Sequence, residues 1–305
     1  MFIVNHRKLF FILSGLLILA SVAAMVMFGF NLGIDFKGGS SLEVSYQNER
    51  PPLELIKGSL DKLNLGSYVL TPEGTVKYVL KTRDLSPEEK SKVLTSFNAL
   101  AVESNGAMTL NVAKEESFTS VGPTVGAELK HKAILAIILV VIAIVLFITF
   151  AFRHVSHPVA SWKYGLATII ALAHDVIIPT GVFIIWSHFN GGEIDLLFVT
   201  AILAILGYSV HDTIVVFDRV RENLRNQPKD ETFEQTVGKS VTQTFGRSIN
   251  TSLTIFLALV ALYFIGGSST KDFAFVLLIG IIAGTYSSIF VASPLLVTLE
   301  KLQKK

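Results

Sequence analysis

Two aspartates and one arginine stand within or beside long apolar segments of this 305-residue chain. Asp175 lies near the middle of one segment, Asp212 lies five residues before the end of the next, and Arg247 comes just before the one that follows. An ionisable side chain inside a membrane-spanning helix is costly, and it therefore indicates a functional site by default. These three residues are the first candidates for chemistry.

Asp212 and Arg247 would fall at similar depth if their two segments form antiparallel neighbouring helices. A carboxylate and a guanidinium at equal depth can pair, which removes most of the cost of burying either one alone. Because such an aspartate can be protonated and unpaired or ionised and paired, a small movement would load and release one proton. The pair is therefore predicted to couple proton movement to work. A static ion pair that fixes helix register is the alternative, with Arg247 as a simple positive-inside anchor.

Other polar side chains near these charges are candidates for a relay or a structural role. They are His174, His211, Ser209, Thr213 and Thr251. Each histidine precedes an aspartate, and successive helical residues point about 100° apart, so we expect each His and its Asp to lie on different faces. Hydrogen-bonded packing is the alternative to a relay, and no metal site is predicted.

Two aspartates on consecutive membrane segments also suggest an intramembrane aspartyl protease, in which two carboxyl groups share one proton. The Gly-x-Gly-Asp motif of such proteases is absent, since Ser209-Val210-His211 precedes Asp212. Asp175 and Asp212 also fall at different depths. No enzymatic activity is predicted.

The composition is that of a membrane protein. Hydrophobic residues make up 51% of the chain and charged residues only 16%, below the roughly 25% of soluble domains, and the mean hydropathy is +0.57. The chain has no Cys, which excludes thiolate metal sites, Cys nucleophiles and disulfides. A net charge of +2 is too small to indicate nucleic-acid binding. No nucleotide-binding motif is present, and no cofactor is expected.

Six apolar stretches are long enough to cross the hydrocarbon core as helices, which takes about 20 residues. They are Leu9–Phe30, Ala133–Phe152, Trp162–Trp186, Leu196–Phe217, Ile249–Ile265 and Phe273–Leu299. The first is about twice as long as the apolar region of a signal peptide, so we expect a retained anchor. The sequence predicts a polytopic α-helical membrane protein with six transmembrane helices.

Lys and Arg are concentrated in the short loops on one side of these helices, whereas the loops on the other side, 187–195 and 266–272, hold only Lys271. The positive-inside rule therefore places both termini in the cytoplasm. Residues 1–30 form the N-terminal tail and first helix, 31–132 an extracytoplasmic domain, and 133–305 the remaining helices. The cytoplasmic loop 218–246 is predicted to carry an amphipathic helix along the inner membrane surface.

The 31–132 segment has the composition of a soluble domain and a βαββαβ pattern, which predicts one α+β ferredoxin-like domain between helices 1 and 2. Helices are expected after Pro51-Pro52 and Ser86, with a turn at Pro72-Glu73-Gly74. Strands are predicted at Gly39–Tyr46, Tyr68–Leu70, Thr75–Thr82, Met108–Val112 and Ser117–Val121. The open sheet face is predicted either to bind an extended chain or to serve as a docking module.

Five sequence blocks together resemble the SecD/SecF family of the resistance–nodulation–division superfamily, and within it the smaller of two related subunits. They are GIDFKGG at 33–39, VGPTVGAEL at 121–129, ALAHDV at 171–176, GYSVHDTIVVFDRVREN at 207–223 and RSINTS at 247–252. The long block is very specific, whereas the glycine motif alone would be weak. Their order and the number of spans also agree with the family.

The resemblance implies an accessory subunit of protein export in the bacterial inner membrane. With the larger subunit SecD, it would use the proton-motive force to complete preprotein translocation through SecYEG after the ATPase SecA has acted. YajC and YidC are further implied partners, with unfolded preproteins as substrates and the lipid bilayer as surroundings. The resemblance assigns the proton-responsive positions to Asp212 and Arg247; His211 stands where the family usually has Asn.

The glycine blocks are predicted to form the junction between domain and membrane, through a tight turn that Asp35 caps. The junction residues are Gly33, Asp35, Gly38, Gly39, Gly122 and Pro123.

Two other functions remain open from the sequence. One is a proton-coupled exporter of lipids or small molecules from the same superfamily, although a domain of about 100 residues leaves little room for a substrate pocket. The other is a scaffold in which the Asp212–Arg247 pair is inert. Na⁺ could replace H⁺ as the coupling ion, but the oxygen ligands near Asp212 are few.

Overall fold

The computed structural model describes residues 2–98, 101–104, 107–110, 112–153, 159–228 and 230–303. The chain divides into two compact units. One, called the helical unit, comprises Met1–Asn31 and Ile134–Lys305, and the other, called the α+β unit, comprises Leu32–Ala133.

The elements follow in chain order, with a 3₁₀ turn at Asp61–Leu63 and a π-helical turn at Ser288–Ala292. They are α1 (Phe2–Asn5), α2 (Arg7–Phe28), α3 (Ile34–Lys37), β1 (Gly39–Tyr46), α4 (Leu53–Leu60), β2 (Val69–Glu73), β3 (Lys77–Thr82), α5 (Pro87–Asn98), β4 (Ala101–Ser104), β5 (Ala107–Leu110), β6 (Ala113–Val121), α6 (Pro123–Ala151), α7 (Ser161–Asn190), α8 (Leu196–Arg225), α9 (Phe233–Ile265), α10 (Ser268–Ser287) and α11 (Ser293–Gln303).

Six helices among the described residues are long and apolar enough to cross a membrane. Five of them are α2, α6, α7, α8 and α9, and the sixth runs over Thr270–Leu302, from α10 through the π turn into α11. The predicted number of membrane helices is confirmed.

The predicted loop 218–246 is mostly helical in the structure, because α8 continues to Arg225 and α9 already begins at Phe233. Thr232 and Gln235 form a capping box at the start of α9. From there α9 runs as one helix of 33 residues, about 50 Å long at ~1.5 Å per residue. The prediction of a separate amphipathic helix along the inner surface is therefore wrong: that segment is the first part of the fifth spanning helix. Since about 30 Å suffices to cross the hydrocarbon core, α9 is long enough to extend beyond it.

Within the helical unit, α10 packs against α7, α8 and α9, and α2 packs against α7. Small residues permit the close contacts: a Cβ on Gly280 would lie 2.1 Å from Cδ1 of Ile205, and one on Gly181 would lie 2.3 Å from Cβ of Ser21. A Cβ on Gly284 would lie 3.1 Å from Cβ of Ser209. The small-residue face of α10 is thus its contact with α8.

The α+β unit contains a four-stranded sheet in the order β2-β3-β1-β6, with antiparallel neighbours throughout. This is the order of a ferredoxin-like βαββαβ unit, and the predicted fold class is confirmed. Alternate residues of β1 enter a core with side chains of α4 and α5; its members include Leu42, Val44, Tyr46, Ile56, Leu60, Val93 and Phe97. The β4–β5 hairpin, which the sequence did not predict as such, stands between α5 and β6.

Two predicted boundaries in the α+β unit are wrong. The turn expected at Pro72-Glu73-Gly74 begins after Glu73, because β2 continues through Pro72. Proline is tolerated there since β2 is an edge strand of the sheet. The strand predicted at Met108–Val112 corresponds to β5, and its residue Asn111 lies outside the described residues. β6 begins at Ala113 rather than Ser117.

The start of α5 carries the capping box that the sequence predicts. The backbone N–H of Ser86 donates to Oε2 of Glu89 at 2.9 Å, and the N–H of Glu89 donates to Oγ of Ser86 at 3.2 Å. Arg83 also forms an ion pair with Glu89. Hydrogen bonding from Arg83, assisted by the N–H of Ser86, lowers the pKa of Glu89 to about 2.

Candidate functional site

Asp212 lies in α8, and its side chain is buried against α9 with only 5% of its surface exposed. Its Oδ1 accepts a hydrogen bond of 2.6 Å from the hydroxyl of Ser248. Its Oδ2 has no hydrogen-bond partner among the described residues. A buried carboxylate oxygen without a partner is costly unless it is protonated or hydrated, so this atom is a candidate proton acceptor.

A cavity of about 30 Å³ adjoins Asp212. It is lined by Tyr208, His211, Asp212, Val215, Arg247 and Thr251. This volume exceeds the roughly 10–15 Å³ that a single water needs, and the lining is polar enough to hold one. The structure therefore brings together Asp212, His211, Arg247 and Thr251 of the predicted site.

The predicted ion pair between Asp212 and Arg247 is absent from the part of the chain that the structure describes. Ser248 contacts the carboxylate instead. Ser248, the residue after Arg247 in α9, bonds Oδ1, and Oδ2 has no hydrogen-bond partner among the described residues. Arg247 lines the cavity beside the carboxylate, so the two charges share a site without touching.

A second buried carboxylate, Asp175, lies at the contact of α7, α8 and α10. Its Oδ2 accepts hydrogen bonds from the hydroxyls of Ser209 and of Ser287, the latter at 2.7 Å. Its Oδ1 is 2.8 Å from Nδ1 of His174. The side chains of His174 and Asp175 thus contact each other, although successive helical residues point about 100° apart.

Residues 285–288, at the junction of α10 and the π turn, contribute hydroxyls that bond Asp175 and residues near Asp212. The hydroxyls of Thr285 and Ser252 are 2.6 Å apart, and Ser252 also donates to the carbonyl of Ser248, the residue that binds Asp212. On the next turn, the hydroxyls of Ser288 and Thr213 are 2.8 Å apart. π-helical turns often occur at functional sites.

Sequence reasoning missed Ser248 and Thr285 as contributors to the site. Both are hydroxyl residues inside apolar helices, where a hydroxyl usually bonds a carbonyl one turn back. The signal available in the sequence is position: Ser248 follows Arg247 directly, and Thr285 lies two residues before the serine pair Ser287-Ser288. Only the packing of α8, α9 and α10 shows which hydroxyls face a carboxylate.

No group of three or more His, Asp or Glu side chains within the described ranges has a spacing that could hold a metal ion. The two carboxylates can themselves bind protons and accept hydrogen bonds. The site has a titratable carboxyl group, room for water and a nearby guanidinium, which together permit reversible proton uptake.

The glycine blocks meet each other inside the α+β unit. Segment 33–39 forms the one-turn helix α3 between Gly33 and Gly38 rather than a simple turn. Gly38 has a φ of +78°, and a Cβ on it would lie 2.8 Å from Cα of Pro123. Gly39 has a φ of +141°, and its Cβ would lie 2.6 Å from the carbonyl oxygen of Thr82. Only glycine fits both positions, and Gly122 precedes the contacting proline.

Two family models match the chain. The model described as "Protein export membrane protein SecD/SecF, C-terminal" matches residues 102–302, and the "SecD/SecF GG Motif" matches residues 23–49. The first match includes the Asp212 and Asp175 sites, and the second includes Gly33 through Gly39.

Several known proteins are similar over nearly the whole chain. Protein translocase subunit SecF of Thermobaculum terrenum is 43% identical over 98% of this chain and 93% of that protein. Protein translocase subunit SecF of Anaerolinea thermophila is 37% identical over 98% of this chain and 94% of that protein. Protein translocase subunit SecDF of Brucella abortus is 36% identical over 96% of this chain, which spans 37% of that longer protein.

Solved structures agree with the sequence matches. A crystal structure of SecDF from Thermus, described as a translocon-associated membrane protein, matches with a TM-score of 0.80 at 30% identity, over 98% of this chain and 38% of that one. SecDF in a super-membrane-facing form matches with a TM-score of 0.66, also at 30% identity, over 98% of this chain and 39% of that one. With six candidate membrane helices, a ferredoxin-like domain and a family match over residues 102–302, this multi-pass membrane protein belongs to the SecD/SecF family of protein-export membrane proteins.

Proposed function

We propose that this chain is an accessory, non-enzymatic subunit of the bacterial Sec export machinery, and that it uses the proton-motive force to drive completion of preprotein translocation. The observation that carries the proposal is Oδ2 of Asp212, which is buried with no hydrogen-bond partner among the described residues, next to a cavity that Arg247 also lines. A carboxylate in this setting can take a proton from a water in the cavity. It can release the proton when the guanidinium moves closer.

The coupling requires two arrangements of the same groups. In the observed arrangement Asp212 is held by Ser248 and is not in contact with Arg247. In the second, Arg247 would move across the cavity to pair with the ionised carboxylate. Proton uptake and release would alternate between the two arrangements and move α8 against α9, whose contact includes these side chains. Such movement of the helices is the mechanical output of the proposed motor.

SecD is the proposed partner. Similar proteins named SecDF are longer, and this chain matches 37% of one and 38% of another. A separate SecD subunit would supply the part of SecDF that this chain does not match. That part would include a second carboxylate opposite the Asp212 cavity. We further propose contact with SecYEG, an indirect link to SecA, and association with YajC and YidC. Both termini would lie in the cytoplasm and the α+β unit outside, where it would meet unfolded preproteins.

The experiment uses inverted membrane vesicles that contain this chain with its SecD. SecA and ATP start translocation of a preprotein, ATP is then removed, and protease-protected full-length product is measured with and without the proton-motive force. Asp212→Asn keeps the size of the side chain, but the amide of asparagine neither gains nor loses a proton in the assay. We expect it to reduce completion to the level that wild-type vesicles show when an ionophore is present.

The matched control is Asp218→Asn, which removes an exposed carboxylate six residues further along α8, where it pairs with Arg221. This variant should keep the gradient-dependent completion of wild type. If Asp212→Asn also keeps it while the SecD complex assembles normally, the site is structural and the proposal fails.

A further inference from the structure

The carboxylate of Asp175 is held by three polar contacts and is fully buried, with 0% of the residue exposed. Two hydroxyls donate to Oδ2, one from Ser209 of α8 and one from Ser287 of α10. Because Oδ2 already accepts both hydroxyl protons, the remaining contact, Oδ1 with Nδ1 of His174 at 2.8 Å, is the one at which a proton can be shared. An ionised Asp175 requires that Nδ1 of His174 carries a hydrogen.

The other ring nitrogen of His174 is buried and alone. His174 is 1% exposed, and its Nε2 has no hydrogen-bond partner in the described part of the chain. The ring stacks on that of Tyr286 at a centroid distance of 5.8 Å. Tyr286 is the titratable side chain of α10 that contacts the pair; its hydroxyl donates to the carbonyl of Phe10 of α2. On α8, Asp212 faces the other way, toward α9.

The net charge of His174 and Asp175 together follows from these contacts. No Lys or Arg among the described residues forms an ion pair with Asp175, unlike the arrangement around Asp212, where Arg247 lies in the same cavity. With His174 neutral, the pair carries one buried negative charge. With a second proton on Nε2, it becomes a hydrogen-bonded ion pair without net charge, which costs less in a low-dielectric interior.

We propose that His174 and Asp175 form a second proton-binding site in the helical unit, at which Nε2 of His174 takes up the proton and Asp175 supplies the countercharge. The proton comes from water: one O–H bond of a hydronium ion breaks as the Nε2–H bond forms, and release of the proton reverses both changes. A role for this site in coupling rests on the proposed function. Ser209 and Ser287, which hold Asp175, lie close to the residues around Asp212. The binding of the proton itself does not depend on export.

The link to the Asp212 site passes through α10 and α8. Ser287 donates to Asp175, and its neighbour Ser288 contacts the hydroxyl of Thr213, the residue after Asp212. Ser209, one turn before Asp212 on α8, donates to Asp175. The pair is thus held by hydroxyls of α8 and α10 close to the point where α10 gives way to its π turn.

The test is NMR on the full-length chain in lipid nanodiscs, with ¹⁵N in the histidine rings and His174→Gln to assign the signal. We expect neutral His174 to carry its hydrogen on Nδ1. At about pH 6, the ratio of doubly to singly protonated His174 should fall about tenfold or more in Asp175→Asn, because the countercharge is lost. Asp218→Asn should leave the ratio for His174 unchanged. For His188, the exposed histidine at the end of the same helix, neither Asp175→Asn nor Asp218→Asn should change the corresponding ratio.

A neutral ring with its hydrogen on Nε2 would overturn the inference, and this reading needs only the wild-type chain, so it stands even if Asp175→Asn fails to fold. An unchanged ratio in a folded Asp175→Asn chain would overturn it as well. Neither result involves export, whereas the proposed function fails on the vesicle assay of Asp212→Asn. The two failures are therefore distinguishable.

Discussion

The hydroxyl of Ser248 donates a hydrogen bond of 2.6 Å to Oδ1 of Asp212 and thereby joins α9 to α8. A hydroxyl can donate to an ionised carboxylate and can equally accept from a protonated one. Ser248 therefore stays a partner of Asp212 in both protonation states, which an arginine cannot do. This leaves Arg247, its neighbour, free to respond to the charge of Asp212 from across the cavity.

Replacement of Ser248 tests this role. Ser248→Ala leaves Asp212 without its neutral partner, a loss of about 1 kcal/mol of hydrogen bonding. We expect gradient-driven completion in the vesicle assay to slow roughly fivefold, and the dependence on pH to change, while ATP-driven initiation stays normal. Ser248→Thr restores a hydroxyl and should restore the wild-type rate and pH profile.

The control for Ser248 is Ser240→Ala, two turns earlier on the same buried face of α9. Ser240 donates to the carbonyl of Thr236 and accepts from Asn223, far along the helix from Asp212. Equal loss of gradient-driven export in Ser240→Ala and Ser248→Ala would show that the hydroxyls serve only helix packing.

The sequence predicted which charged residues lie inside the helices better than it predicted the side chains that contact them. Apolar length and a single charge within it are properties of one segment, so the six helices and the presence of Asp212 inside one of them follow from the sequence alone. Contacts between segments depend on helix rotation, which the sequence does not specify. For this reason Ser248 rather than Arg247 contacts Asp212, and the ring of His174 reaches Asp175.

The same distinction applies to the α+β unit. Its order of elements along the chain was predictable because the alternation of β1 and the capping signals of α5 are local patterns. The end of β2 was not, because Pro72 is a turn signal that an edge strand tolerates.

The contact of α8 with α10 depends on the absence of a side chain at Gly280. A Cβ there would lie 2.1 Å from Cδ1 and 2.3 Å from Cγ1 of Ile205. We expect Gly280→Ala to destabilise the helical unit by about 1–3 kcal/mol through overpacking. The measurement is the unfolding of the purified chain in mixed detergent micelles.

A second substitution checks that the effect at Gly280 is steric. Ile205→Ala removes the atoms that the new methyl group would meet, so the double variant should be more stable than the sum of the two single changes predicts. Strict additivity would contradict a direct clash between these positions.

Gly38 and Gly74 separate backbone strain from close packing in the α+β unit. Both have positive φ, +78° and +55°, but a Cβ on Gly38 would lie 2.8 Å from Cα of Pro123, whereas one on Gly74 would meet nothing within 4 Å. Gly74→Ala should cost about 1 kcal/mol, the ordinary penalty of the left-handed region. Gly38→Ala should cost roughly 3 kcal/mol or more, since backbone atoms cannot move aside as a side chain can.

Hydrogen exchange of the β1 and β6 amides in the intact chain measures both changes. The two glycine variants should differ clearly in the protection of these strands, with Gly38→Ala the less protected. Equal protection would mean that the Gly38–Pro123 contact relaxes without cost.

The start of α5 should lose stability in acid because of Glu89. The hydrogen bond from Arg83, with the N–H of Ser86, lowers the pKa of Glu89 from 4.5 to about 2. A carboxyl group whose pKa is depressed by folding stabilises the folded state above its unfolded pKa. The contribution of ionised Glu89 to the stability of the folded state is therefore complete above pH 4.5 and disappears as the pH falls through about 2.

Glu89→Gln isolates the charge, because glutamine at this position can still complete the capping box with Ser86. We expect the α5 amides of this variant to exchange faster than wild type at neutral pH, after correction for the intrinsic rate, and to show less additional loss of protection on acidification. Glu88→Gln, one residue earlier in the same first turn, should retain the acid dependence of wild type. If Glu89→Gln loses protection in acid as steeply as wild type does, the acid sensitivity of α5 arises from other carboxyl groups and not from the pair with Arg83.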